Sequence, residues 1–325
     1  MTAPLRTTRD QADDTPTHQE LLARVQQAIG NVIQGKPEAV ELLLIAMLAG
    51  GHALVEDVPG VGKTTLAKAI ARVFRVDFSR VQFTPDLLPT DIIGSLVLEP
   101  ERGSFAFHKG PIFTHVLLAD EINRASPRTQ SALLEAMSES QVTVDGKTLL
   151  LPPPFFVLAT QNPHELAGTY PLPEAQLDRF LVRIAIGYPA ADAELAMLYA
   201  RQNEDPLDAL AALGTSRDLL AMQTAVRAVE VKPAVSRYLL ALVSATREHR
   251  DVVLGASPRA TLALFRASQA RAFAKGRSFV SPDDVQALAA PVLGHRLVLT
   301  AEARYGGRGA AAVIDELTRG LRVPL

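Results

Sequence analysis

Residues 57–64 read Asp-Val-Pro-Gly-Val-Gly-Lys-Thr and stand between an apolar run, His52-Ala53-Leu54-Val55, and a helix-forming stretch, Thr65-Leu66-Ala67-Lys68-Ala69-Ile70. A strand that turns through glycines straight into a helix is the setting a phosphate-binding loop requires, and it commits the chain to an α/β arrangement around that turn. On this reading Pro59, Gly60, Val61 and Gly62 turn backbone N–H groups toward phosphate oxygens of a nucleoside triphosphate. Lys63 reaches the β- and γ-phosphates, the Thr64 hydroxyl helps hold Mg²⁺, and Thr65 carries the contact into the helix N-terminus. The pattern Gly-x-x-x-x-Gly-Lys-Ser/Thr is not fully met, because Asp57 occupies its first position. Either that position merely begins the turn and tolerates aspartate, or a carboxylate near the phosphates weakens binding by up to ~1 kcal/mol at about 4 Å in solvent-screened surroundings.

A second apolar run, His115-Val116-Leu117-Leu118-Ala119, ends in two adjacent acids, Asp120 and Glu121. Neighbouring side chains on a strand point to opposite faces, so the two acids can take different work. Asp120 would orient Mg²⁺, directly or through water, while Glu121 would act as general base on an attacking water. Taken alone, the same residues fit a strand followed by a solvated acidic turn. A third run, Phe155-Phe156-Val157-Leu158-Ala159-Thr160, leads to Gln161-Asn162-Pro163. Asn162 then lies at the carboxyl end of a strand, where open parallel sheets bind ligands. Its amide could hydrogen-bond the γ-phosphate and the lytic water, the competing use being a plain Asn-Pro turn.

The order of these parts resembles the AAA+ ATPases, and within them the MoxR family. The resemblance rests on residues 56–65, 118–125, 159–163, 172–180 and Ser257-Pro258-Arg259-Ala260, and spans nearly all of the chain beyond its first fifteen or so residues. It implies ATP and Mg²⁺ as ligands, with Lys63 in a Walker A loop and Asp120 and Glu121 in a Walker B strand. It assigns Asn162 as sensor 1, Arg179 as the arginine finger that completes a neighbouring subunit's site, and Arg259 as sensor 2 on a helical lid. A permanently charged guanidinium suits a transition state whose charge is spread over phosphoryl oxygens. Arg179 could instead form a structural ion pair with Asp178 or Glu174. The resemblance further implies a homo-oligomeric ring, a hexamer, that acts as a chaperone on a protein client, possible partners being proteins with a von Willebrand factor A domain.

Composition bounds the other classes. At 325 residues the chain is long enough for about two domains at roughly 150 residues each. A net charge of −2 from interspersed acids and bases provides no global field to draw in nucleic acid or an anionic membrane. The absence of cysteine removes disulfides and thiolate metal sites and fits a cytoplasmic location. The polar start, Met1 to His18, has no apolar core of a signal peptide, and residues 1–16 read as a disordered leader. The longest apolar run, Leu42 to Ala49, falls well short of the ~20 residues a membrane span needs and reads as a core helix, so no membrane insertion is expected.

Apolar strands alternate with helical stretches from about Gly51 to Ile186, the signature of a parallel sheet flanked by helices. A P-loop α/β core is therefore expected over 17–188, followed by an all-helical lid over 189–325, with helices near 191–202, 216–229, 233–250, 258–275, 281–292 and 310–320. Ser257 and Ser281, each followed by proline, read as N-caps. Two inserts break the alternation, at about 94–110 and 141–151, the second with an Asp145-Gly146 hairpin turn. They read as ordinary surface hairpins, or, by the resemblance, as inserts facing a ring's pore. Gly306-Gly307-Arg308-Gly309 reads as a loop before the last helix, and His52, His108, His115 and His164 have no metal-site spacing. The alternative function is a nucleic-acid motor or loader of the same class. The balanced charges of the inserts, Glu99 and Glu101 against Arg102 and Lys109, and Asp145 against Lys147, oppose that role, so no nucleic-acid partner is expected. A GTPase or small-molecule kinase ranks lower, since no Asn-Lys-x-Asp segment for guanine is present.

Overall fold

The computed structural model describes residues 17–100, 103–162 and 168–324; the expected leader, Glu101, Arg102, Pro163 and His164 lie outside the described residues. Two helices open the described chain, α1 (His18–Val32) and α2 (Pro37–Leu48). Helix α1 starts because Thr17 and Glu20 cap each other, the Glu20 N–H donating to the Thr17 hydroxyl and the Thr17 N–H to the Glu20 carboxylate. Helix α2 is buried over Leu43–Leu48, as expected for a core helix rather than a membrane span. There follow β1 (Ala53–Glu56), α3 (Lys63–Val73), β2 (Phe78–Gln82) and α4 (Pro89–Ile93). The first insert forms β3 (Gly94–Glu99) and β4 (Ser104–Lys109), and β5 (Val116–Asp120) and α5 (Pro127–Glu139) come next. The second insert forms β6 (Gln141–Val144) and β7 (Lys147–Leu150), and β8 (Phe156–Gln161), α6 (Glu174–Leu177) and β9 (Val182–Ile184) complete this half.

Strands β2, β5, β8, β1 and β9 lie side by side in that order, all parallel, with β5 and β8 in the register Val116↔Phe156. The middle three are apolar along almost their whole length because helices cover both faces of the sheet. The carboxyl ends of β1, β5 and β8 therefore come out together, carrying Asp57, Asp120 and Asn162 to one edge. Both inserts are isolated two-stranded ribbons, the second turning through Asp145 (φ 50°) and Gly146 (φ 72°), the left-handed pair that a tight hairpin needs.

After β9 the chain forms α7 (Ala191–Ala200), α8 (Ser216–Arg227), α9 (Pro233–Glu248), β10 (Val252–Leu254), α10 (Pro258–Ala274), α11 (Pro282–Leu293), β11 (Val298–Leu299), α12 (Ala301–Tyr305) and α13 (Ala310–Gly320). The six expected helices are all present with ends within two residues of expectation. The expectation of a purely helical lid needs one correction: β10 and β11 pair antiparallel. Strands of three and two residues are too short to leave a periodic signal, and this pair exists because the chain leaving α9 and α11 is brought together by their packing. The core and lid share one apolar cluster, in which α10 packs on α1, α2 and α8, and α11 on β9. No helix among the described residues is long and apolar enough to cross a membrane.

His52 locks this sheet to its covering helix. The Val157 N–H of β8 donates to its Nδ1 at 3.0 Å, which leaves the proton on Nε2, and that N–H donates to the Met137 carbonyl of α5 at 2.9 Å. Burial, only partly opposed by the bond to Met137, lowers the His52 pKa to about 4. A second proton would sit on Nδ1 and abolish the bond from Val157. Because the folded pKa lies below the unfolded value of 6.5, the unfolded chain binds more protons between those values, so stability is full above pH 6.5 and is lost as the pH falls toward 4. Urea unfolding at pH 7 and pH 4 should therefore show the wild type losing about 3 kcal/mol more than His52→Gln over that interval. Equal losses in the two proteins would show that His52 is not held neutral.

Candidate functional site

The loop after β1 turns through two glycines in the left-handed region, Gly60 at φ 87° and Gly62 at φ 92°, and Gly62 caps α3. Residues with side chains are strained there, which is the physical reason for glycine at both positions. The turn aims backbone N–H groups and the positive end of α3 into a cleft of ≈ 400 Å³. Pro59, Gly60, Gly62, Lys63, Thr64 and Thr65 line it from the loop, Asp120 and Glu121 from β5, and Asn162 from the end of β8. The sequence-predicted phosphate loop, both acids and the sensor asparagine thus converge. Val61 faces an adjoining cleft of ≈ 470 Å³ on the other side of the loop, bounded also by Val32, Ile33, Tyr188 and Pro189, and by Met197 of α7. The first cleft is lined mostly by polar and charged side chains, the second is the more apolar, and both border Pro59, Gly60, Gly62 and Thr65.

Lys63 is half-buried, and its ammonium group donates to the Asp57 carbonyl at 2.7 Å. Burial lowers its pKa, with the carboxylates of Asp57, Asp120 and Glu121 acting in the opposite direction. The Asp57 side chain turns away from the cleft. One carboxylate oxygen accepts from the N–H groups of Ile186 at 2.6 Å and Gly187 at 2.5 Å, and the other from Val58 N–H at 2.8 Å. Of the two sequence alternatives for Asp57, a carboxylate facing the phosphates is therefore not what the fold builds. The residue ties the start of the loop to the segment that leaves the sheet for the lid.

The two acids are separated by backbone geometry. Glu121 takes a left-handed conformation (φ 57°, ψ 49°), an unusual strain for a side-chain-bearing residue. It is held there by Thr160, buried in β8, whose hydroxyl accepts from the Glu121 N–H at 2.9 Å and donates to Asp120 Oδ1 at 2.6 Å. The other Asp120 oxygen faces the Arg80 guanidinium at 2.7 Å. Arg80 Nη2 also donates to Gln82 Oε1 at 3.0 Å, and the Gln82 amide donates to Glu121 Oε2 at 2.7 Å, an oxygen that Arg124 meets at 3.0 Å. Arg80, Gln82 and Thr160 are functional neighbours that sequence reasoning passed over. Arg80 and Gln82 lie two apart on β2 and so share a face, a signal present in the sequence, but only the sheet order puts that face beside β5.

Thr64 and Asp120 offer a hydroxyl and a carboxylate to one cleft, an oxygen donor set suited to Mg²⁺. Arg179 and Arg259 are not among the residues lining that cleft. Arg179 is half-buried, and its guanidinium donates to the Leu134 carbonyl and to the Ser138 hydroxyl of α5 at 2.8 Å. Among the described residues Arg179 forms no ion pair with either Asp178 or Glu174, and Asp178 pairs with Arg296 at 2.7 Å. Arg259 is exposed in the first turn of α10, where the Ser257 hydroxyl caps the helix by accepting from Ala260 N–H, as expected. Its charge is near enough to act on the buried Arg296 guanidinium.

A five-stranded parallel sheet with a glycine-turned phosphate loop, a strand ending in paired acids and a following helical lid define a P-loop ATPase of the AAA class. Residues 52–182 match the family model described as "ATPase family associated with various cellular activities (AAA)", and residues 244–317 match the AAA lid domain. The chain is 46% identical over 305 residues to the uncharacterized protein YeaC of Bacillus subtilis, covering 94% of this chain and 95% of that one. It is 42% identical over 312 residues to the chaperone MoxR1 of Mycobacterium tuberculosis, covering 93% and 82%, and 34% identical over 299 residues to the MoxR protein of Paracoccus denitrificans, covering 85% and 88%. A crystal structure of a candidate ATPase from Cytophaga hutchinsonii superimposes with a TM-score of 0.88 at 37% identity, covering 95% of this chain and 96% of that one. The chain belongs to the MoxR family of AAA+ ATPases.

Replacing Asp57 with the glycine of the general phosphate-loop pattern should not tighten nucleotide binding. It removes the acceptor for the Ile186 and Gly187 amides, so Asp57→Gly should lower unfolding stability by about 2 kcal/mol or more. Urea unfolding with a parallel titration of a fluorescent ATP analogue checks this. Unchanged stability with tighter binding would mean that Asp57 acts on the phosphates after all.

Proposed function

We propose that this chain hydrolyses ATP and, as a homo-oligomeric ring of the hexameric kind, uses that hydrolysis to remodel or activate a protein client. The observation that carries the reading is the convergence of Lys63, Thr64, Asp120, Glu121 and Asn162 on one cleft beside a separate, more apolar cleft across the loop. A triphosphate fits the first and an adenine ring the second, so the loop would lie along the nucleotide between them.

Lys63 and the loop amides bind phosphate oxygens, Lys63 leaving the Asp57 carbonyl to do so. Thr64 and Asp120 would hold Mg²⁺, which supplies positive charge against the phosphate oxygens when bound. Asn162 positions water in line with the γ-phosphorus, and Glu121 accepts the water's proton as the new phosphorus–oxygen bond forms and the bond to the β-phosphate oxygen breaks, giving ADP and phosphate. Gln82 and Arg124 fix the Glu121 carboxylate at the cleft mouth. Arg259 contributes charge from the lid of the same subunit. Arg179 serves the site of the next one; that it does not line the cleft of its own subunit supports that reading.

Two MoxR relatives over most of their length, one of them named a chaperone, support a protein client. A client with a von Willebrand factor A domain and a cytoplasmic location belong to the same proposal. The exposed apolar side chains of the two inserts, Leu98 and Phe105 in the first and Leu150 in the second, suit contact with a polypeptide in a pore better than contact with a phosphate backbone.

Steady-state kinetics test the assignment. Glu121→Gln should bind ATP as tightly as the wild type while hydrolysing it roughly 10²- to 10⁴-fold more slowly. Arg179→Ala should lower kcat by about 10³-fold or more. Hydrolysis within a few-fold of wild type in Arg179→Ala would remove the finger role, and the same result in Glu121→Gln would remove the general base.

A further inference from the structure

The segment that bears Arg179 is gripped by the lid of its own subunit. Arg296, just beyond α11, has only 5% of its surface exposed. Its Nε donates to Asp178 Oδ1 at 2.7 Å, and its two terminal nitrogens donate to the carbonyls of Phe180 at 2.6 Å, Asp178 at 3.2 Å and Leu181 at 3.2 Å. A further bond, to the Val292 carbonyl, anchors the same guanidinium to α11. The planar fork of one lid arginine thus binds the residues on both sides of Arg179, the first of them, Asp178, 118 positions earlier in the chain. His295 adds a bond from its ring to the Phe180 carbonyl at 3.1 Å.

Asp178 is also engaged by a second lid element. Its other carboxylate oxygen accepts from the Ser257 hydroxyl at 2.8 Å, the same hydroxyl that caps α10 two residues before Arg259. A single carboxylate therefore touches the start of the helix carrying Arg259 and the guanidinium of Arg296, and the residue that bears it immediately precedes Arg179 in the chain. The other hold on Arg179 is its own contact with Leu134 and Ser138 of α5. A rotation of the lid about the Ile186–Gly187 connection would move Ser257 and Arg296 together, because both are built into lid helices. Asp178 would have to follow or lose a buried charge partner.

We infer that Arg296 and Asp178 are positioning residues for Arg179, so that the lid of one subunit sets the placement of the finger it offers to the next subunit's nucleotide site. The inference rests on the reading of Arg179 as a finger acting in trans. It adds a route by which a subunit's own nucleotide, met by Arg259 on the lid, governs hydrolysis next door. The coupling needs no movement of the core sheet.

Subunit mixing tests it. Glu121→Gln chains bind nucleotide without hydrolysing it and keep a finger, and Arg179→Ala chains keep a complete site but lack a finger; each alone should be nearly inactive. Mixed, they should recover ATPase activity at the sites where an intact finger meets an intact Glu121. Asp178→Asn, which preserves shape and removes the charge, is then introduced into one partner at a time, with Arg296→Lys as the second variant. In the Glu121→Gln finger donor it should cut the recovered kcat at least about tenfold with KM for ATP unchanged, since displacement of a catalytic group by about 1 Å can cost 10²-fold. In the Arg179→Ala site owner it should change kcat by less than about twofold. A purely structural strut would impair both placements alike, and equal effects, or none in the donor, would overturn the inference. Failure of the mixture to recover activity with Asp178 and Arg296 intact would instead overturn the trans-finger reading itself.

Discussion

Two carboxylates that follow one another in the chain, at the end of a sheet whose middle strands are largely apolar, repel each other and need neighbours that hold them apart. The arrangement around the cleft answers that requirement. Thr160 bonds to both residues at once, donating to Asp120 and accepting from the backbone of Glu121, and Glu121 adopts left-handed geometry to meet it. Arg80 faces Asp120, while Gln82 and Arg124 face Glu121. Lys63 lies across from them, near enough for their charges to act on its protonation. These partners come from β2, β8, the turn after β5 and the start of α3, so the site exists only when β2, β5, β8 and the phosphate loop have assembled in their order.

The same logic of holding by distant partners extends to the junction with the lid. Asp57 begins the phosphate loop but spends its side chain on the amides of Ile186 and Gly187, and Lys36 donates to the Tyr188 carbonyl at 2.6 Å. The lid returns the contact through Arg296 and Ser257 at Asp178. The phosphate-loop cleft is thus tied to the connection leading into the lid, and the Arg179 segment to the lid itself, each by a buried or half-buried carboxylate.

Local patterns revealed the elements whose causes are local. The phosphate loop, the strands ending at Asp120 and near Asn162, the Ser257 cap and the six lid helices follow from glycine placement, apolar runs and capping residues, all of which act within a few positions. What stayed hidden depends on long-range placement. The orientation of Asp57 is decided by amides 129 and 130 residues away, and a local reading could only set the carboxylate beside the loop it starts. Arg80 and Gln82 matter because β2 is the neighbour of β5, which no run of residues announces. Arg296 is one of many arginines in the chain, and its burial among carbonyls of the core is a property of the packed junction alone. The short ribbon of β10 and β11 escaped for a different reason, since strands this brief carry no period.

On the proposed function each nucleotide site is completed by a second copy of the chain. The ATPase rate per chain, measured across a dilution series that carries the protein from assembled to monomeric, with mass followed by light scattering in the same Mg-ATP buffer, tests this. Activity per chain should fall together with the loss of the ring-sized species. A rate per chain that stays constant while the mass falls to that of a single 34.9 kDa chain would contradict it.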